Sequence, residues 1–241
     1  MAAAVLPAAI CLALTQPYAG EPPALRAAAP AIPAAASSAQ GFAPPGWEVA
    51  ATAEGDLDFD GHSDLAVILK GNDPGCIVDT GSAGEPLDTN PRVLLIAFAR
   101  PEHFVLQVTN PAVIPRKDDP FMDDPLTPDA FTIKNGVLRL GLTYWRSMGG
   151  WTTYSTSLSF RWNEHAFALI GYDRQTVNRA SGETETVSVN YPARRAFTAK
   201  GSIEDDKPGP KRWQRILPQK KSETLASIGD GLAFEPKLAK R

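Results

Sequence analysis

Gly55-Asp56-Leu57-Asp58-Phe59-Asp60-Gly61-His62-Ser63-Asp64 packs four aspartates into one short stretch and then runs directly into Leu65-Ala66-Val67-Ile68-Leu69. Four like charges this close repel one another unless a cation neutralises them. Counted from Asp56, the carboxylates take loop positions one, three, five and nine. Gly61 falls at position six, where a sharp turn is needed, and the carbonyl of His62 falls at position seven. A hard cation such as Ca²⁺ takes six to eight oxygens at about 2.3–2.6 Å. Asp56, Asp58, Asp60 and Asp64 through their side chains, with His62 through its carbonyl, offer most of that set. The competing chemistry is an acidic turn without metal, whose aspartates are solvated or cap backbone N–H groups.

The flanks decide what kind of loop this is. Position twelve is Val67, where an EF-hand places a bidentate Glu. Trp47–Ala51 before the loop and Leu65–Leu69 after it read as strands, so the expected order is strand, loop, strand. Asp64, at the start of the second strand, then supplies the missing carboxylate.

The rest of the chain predicts an all-β, mainly antiparallel sheet or meander. Arg92–Phe98 is a continuous apolar run, as in a buried strand. His103–Val108 alternates and follows the turn Pro101-Glu102. Phe131–Ile133 and Val137–Leu140 flank Asn135-Gly136, a dipeptide suited to a type I′ hairpin because both turn residues need positive φ. Trp151–Trp162 and His165–Tyr172 meet at Asn163-Glu164, with Tyr154, Thr156, Leu158, Phe160 and Trp162 on one face. Thr184–Asn190 and Arg194–Ala199 form a last, more polar pair. A short C-terminal helix is expected over Ser222–Ile228 with Ser222 as N-cap, and a frayed tail after Gly231.

Gly55–Leu69 resembles the calcium loop of FG-GAP/VCBS-type repeats, found in integrin-α β-propellers and in bacterial envelope proteins. All four aspartates and Gly61 fit the D-x-D-x-D-G-x-x-D pattern. Softer similarity to an uncharacterised group of bacterial exported proteins carrying one such loop lies in Arg92–Phe98, Asp119-Pro120-Phe121, Phe131–Gly136, Ser159–Trp162 and Leu169–Tyr172. The resemblance implies propeller-blade-like hairpins, a structural Ca²⁺ and an exported location. The loop occurs once, so the resemblance does not extend to a complete propeller.

Length and charge set the remaining bounds. A chain of 241 residues holds one ordinary domain with tails and can bury a core without disulfides. A net charge of −3 by itself points to neither nucleic acid nor a membrane surface. Ala2–Leu14 has the length and apolarity of a signal-peptide core, with small residues at Tyr18-Ala19-Gly20, so residues 1–19 are expected to be a signal peptide and the chain periplasmic or secreted. No stretch reaches the roughly 20 apolar residues of a membrane-spanning helix. Gly20–Pro45, rich in Ala and Pro, is expected to be an extended linker, the all-β domain running from 46 to 200 and a basic, Pro-rich segment from 201 to 241. Cys76 has no partner at metal or disulfide spacing if Cys11 is removed with the leader.

Two further groups are candidate sites. Asp118, Asp119, Asp123, Asp124 and Asp129 form a second acidic cluster, expected to be a solvated loop pinned by Phe121. Tyr144, Trp145, Arg146 and Trp151 are a candidate ligand surface, because Trp and Tyr beside polar groups stack on sugars or anchor partners. The histidines His62, His103 and His165 match no zinc spacing, and no G-x-S-x-G elbow or P-loop is present. The leading expectation is therefore an exported, non-enzymatic β protein with one structural Ca²⁺ site, binding a glycan or an envelope protein. The alternative is a periplasmic hydrolase acting on an envelope glycan or similar polymer.

Overall fold

The computed structural model describes residues 30–81, 86–205, 209–215 and 223–238. Residues 1–19, where the signal peptide is expected, lie outside these. Fourteen strands follow in chain order: β1 (Ala35–Ala36), β2 (Trp47–Gly55), β3 (Asp64–Gly71), β4 (Ile77–Val78), β5 (Leu87–Asp88), β6 (Arg92–Arg100), β7 (His103–Asn110), β8 (Leu126–Lys134), β9 (Val137–Tyr144), β10 (Thr152–Trp162), β11 (Phe167–Asn178), β12 (Glu183–Asn190), β13 (Arg195–Ser202) and β14 (Arg212–Arg215). All pairings are antiparallel. One sheet has the order β1-β7-β6-β3-β2, and β4 pairs with β5. The other is an unbroken meander, β8 to β14, that curls into a half-barrel. The strands thus merge into two large sheets rather than separate blades.

Side-chain alternation explains how the sheets pack. On β3 and β6, Ala66, Ile68, Leu94, Ile96 and Phe98 point to one side. They meet Leu138, Leu140, Leu142, Leu158, Phe160 and Tyr172 of the half-barrel. Leu65, Val67, Leu69, Leu95 and Ala97 point to the other side. This is why both strands read as unbroken apolar runs: each is covered on two faces.

The cover on the second face corrects the linker expectation. From Pro30 on, the Ala/Pro-rich segment is part of the fold. β1 pairs with the edge of β7, and Phe42, fully buried, packs with Ala39 against Leu65, Val67, Leu69 and Leu95. A segment poor in large side chains needs only one such anchor when the sheet beneath it is apolar.

The C-terminal expectations also change. Ser222 lies outside the described residues, and 223–228 form a turn rather than a helix, with Ile228 N donating to Thr224 O at 2.9 Å. Residues 232–238 are docked, not frayed. Leu225, Ile228 and Leu232 are buried in the main core. Asn110 Nδ2 donates to the carbonyls of Leu225 and Ile228, and Arg174 donates to those of Leu232 and Phe234. These side chains satisfy carbonyls that an irregular segment would otherwise bury unpaired.

Phe42→Ala is expected to cost about 3–5 kcal/mol in urea denaturation, the range for emptying a buried Phe site. A change within about 0.5 kcal/mol, as for an exposed position, would contradict the packed N-terminal layer.

Candidate metal centre

The loop between β2 and β3 is held at its base by one carboxylate. Asp64 is fully buried. Its Oδ2 accepts from Leu57 N at 2.8 Å and its Oδ1 accepts from Ala99 N at 2.8 Å. The same side chain therefore fixes the start of the loop and the end of β6. Leu57, also fully buried, plugs the loop into the main core.

Asp56 shapes the turn above this base. Its Oδ1 accepts from Phe59 N at 2.6 Å and its Oδ2 accepts from Gly61 N at 3.0 Å. Both residues sit in the left-handed region, Phe59 at φ 63° and Gly61 at φ 88°. For Phe59 that conformation costs about 1–2 kcal/mol. The Asp56 hydrogen bonds and a seat for the ring offset it. That seat is Gly136 in the β8–β9 turn, where a Cβ would come within 2.2 Å of the Phe59 ring. Asn135 and Gly136, at φ 53° and 69°, make the expected positive-φ hairpin turn.

With the loop fixed in this way, one carboxylate oxygen each from Asp56, Asp58 and Asp64 lies within 4.8 Å of the others. Two oxygens on opposite sides of one Ca²⁺ are separated by about 4.6–5.2 Å, twice the usual Ca–O distance. The three carboxylates thus fit a shared cation. An oxygen already accepting one N–H keeps a second lone pair for a metal. Asp60 is not in this group. Its Oδ1 accepts from His62 N at 2.8 Å, and its Oδ2 lies 3.5 Å from Arg100 Nη1. The same guanidinium nitrogen is 3.8 Å from Asp58. His62 is exposed.

Burial is the largest influence on Asp64 and raises its pKa, aided by the charges of Asp58 and Asp60, against the two backbone donors that lower it. A carboxyl raised on folding stabilises most below its unfolded pKa, and that contribution is lost as pH rises through the folded value. Ionising Asp64 in the folded chain therefore costs stability as pH rises through its raised pKa.

The other candidates are arranged differently. In the second acidic cluster, Asp119 pairs with Arg146 at 2.5 Å and Asp124 pairs with the buried Arg92. Met122 and Pro125, not Phe121, are buried in that loop. The aromatic group does not form one face. Tyr144 stacks on Tyr154 with ring centroids 4.8 Å apart. Trp145 lies under the Arg179 guanidinium at 5.1 Å. Arg146 is held by Asp119, while Trp151 is 66% exposed. Arg179 organises the loop by donating to the carbonyls of Arg146 and Gly150. The three histidines are exposed, His62 and His165 in bends and His103 at the first residue of β7, and Cys76 is buried, its thiol pKa raised chiefly by burial.

No family model, curated protein or solved structure matches this chain.

Sequence reasoning missed Arg100, Ala99 and Arg179. Arg100 is basic and precedes the turn at Pro101, but only strand register brings it beside residues some forty positions earlier.

In metal-free protein, Asp64→Ala is expected to lower stability by about 2–5 kcal/mol, because it strips the partner from two backbone N–H groups. Asp60→Ala, at the surface, should change it by no more than about 0.5 kcal/mol. Urea denaturation in chelator measures both, and equal effects would refute the division of roles.

Proposed function

We propose that this is an exported, non-enzymatic β protein whose 56–64 loop binds one structural Ca²⁺, and that it serves as a binding or envelope-associated module. The convergence of Asp56, Asp58 and Asp64 carries the reading. Asp60 and the His62 carbonyl complete the ligand set once Asp60 exchanges Arg100 for the ion. The ion neutralises the loop and clamps the β2–β3 hairpin, adding about 2.7 kcal/mol when its concentration is a hundred times its dissociation constant.

Two sequence features support the export and module parts of the reading. One is the apolar segment Ala2–Leu14. The other is the likeness of Gly55–Leu69 to FG-GAP/VCBS-type calcium loops. Within the candidate ligand surface, the exposed ring of Trp151 is the anchor for a glycan or an envelope protein.

Titration calorimetry tests the metal. The wild-type chain should give a saturable heat with Ca²⁺, and Asp58→Ala should abolish most of it. No wild-type heat, or the same heat from the variant, would overturn the assignment.

A further inference from the structure

The half-barrel spends one face on the core and leaves the other open. Strand register sets what lies there. Gly141, Ser157, Asp173, Ser188, Phe197 and Trp213 stand opposite one another in a row across six strands. From Ser157 to Trp213 that row is roughly 19 Å long, four inter-strand steps.

Its first half is a trough of about 600 Å³. Ser155 and Ser157 form part of its floor, Ala130 covers Gly141, and Arg139 lines the same space. Ser155, Gln175 and Asp173 add exposed hydroxyl, amide and carboxylate groups along it. Ser188 donates to Asp173 at 2.6 Å. Ser157 Oγ is shielded at the floor and has no hydrogen-bond partner among the described residues. A buried hydroxyl without a partner is costly.

The second half is cationic. On this face β13 and β14 present Arg195 and Arg215, which pair with each other and share the side of Phe197 and Trp213, and neither strand carries an acidic residue, in a chain whose net charge is −3. Neither arginine makes an ion pair among the described residues, whereas Lys200 and Arg212 alternate to the other face, where Lys200 faces Glu185. The Arg195 guanidinium lies 4.6 Å from the Trp213 ring, and Lys211 Nζ lies 4.6 Å from the Phe197 ring. Trp213 is 49% exposed. The rings hold these cations in place rather than neutralising them, which leaves their charge available to an anion.

We propose that this outer face binds an acidic polysaccharide. Arg195 and Arg215 would take its carboxylate or sulfate groups, as charge-assisted hydrogen bonds. The trough would take its hydroxyls, each of which both donates and accepts. The pairing of charge with a hydroxyl-lined trough separates this ligand from other polyanions. A flat anionic membrane would leave the trough unused. The proposal rests on the binding-module reading and is independent of the calcium loop.

The test is the affinity of the full chain for polygalacturonate, with dextran, single-stranded DNA and anionic phosphatidylglycerol vesicles as comparisons. The wild type should bind polygalacturonate, and binding should weaken as salt is raised. Arg195→Glu with Arg215→Glu should weaken it by about tenfold or more, because like charge replaces attraction. Ser155→Trp, which fills the trough at an exposed position without changing charge, should weaken it similarly and leave the melting temperature unchanged. No binding by the wild type, or unchanged affinity in either variant, overturns the proposal. Equal affinity for dextran overturns the role of the cations, and equal affinity for DNA or vesicles overturns the choice of polysaccharide. Loss of the Ca²⁺ heat with polysaccharide binding intact would sink only the metal reading, and the converse only this one.

Discussion

A single buried carboxylate, Asp64, ties the two functional ends of the first sheet together. It accepts one N–H from the acidic loop and one from Ala99, the penultimate residue of β6, which Arg100 follows. Without it, Leu57 would have no fixed entry into the core, and Asp56 and Asp58 would have no third carboxylate to converge with. Burying a charged oxygen costs free energy unless it is hydrogen-bonded. Here the cost is partly met by backbone donors, and positive charge near the loop lessens the repulsion among its aspartates. Arg100 supplies some of that positive charge from outside the cluster, against Asp58 and Asp60.

The stability of that arrangement depends on layers that cover the sheet from both sides. β3 carries Asp64 at its first residue and then buries apolar side chains on alternate faces, one against the half-barrel and one against the N-terminal segment. A slip of one residue in β3 would exchange the two faces and pull Asp64 away from Ala99. The C-terminal segment closes the core between the sheets, held by Asn110 and Arg174. The outer face of the half-barrel is left polar and open, and there the sheet presents hydroxyls on one side and arginines on the other.

Much of the fold was legible in the sequence, because alternation, Asn-Gly turns and Pro-rich breaks are local signals. Apart from the two-residue β4 and β5, which the pattern does not mark, the strands between Trp47 and Ala199 lie where it places them, with β8 beginning earlier and β11 ending later, and Asn135-Gly136 takes the expected turn. What escaped was non-local. Nothing in an Ala/Pro-rich run shows that Phe42 will find an apolar sheet to cover. The short, polar β14 was not read as a strand, because it becomes one only by pairing with β13. The expected helix over Ser222–Ile228 is instead a turn in its described part, pinned through Leu225 and Phe167. At the loop, spacing identified the aspartates but could not tell Asp60 from the others. That difference comes from Arg100, placed by strand register. The aromatic run Tyr144–Trp151 read as one surface, but Tyr154, Arg179 and Asp119 each draw off a different member.

The role given to Asp64 is tested most directly by native-state hydrogen exchange of the Leu57 and Ala99 amides in metal-free protein. If Asp64 is the fixed point, both should be protected to the level of the central amides of β3, and both should lose that protection in Asp64→Ala while amides at the centre of the half-barrel keep theirs. Exchange of either amide at the rate of an open loop in the wild-type chain would contradict it.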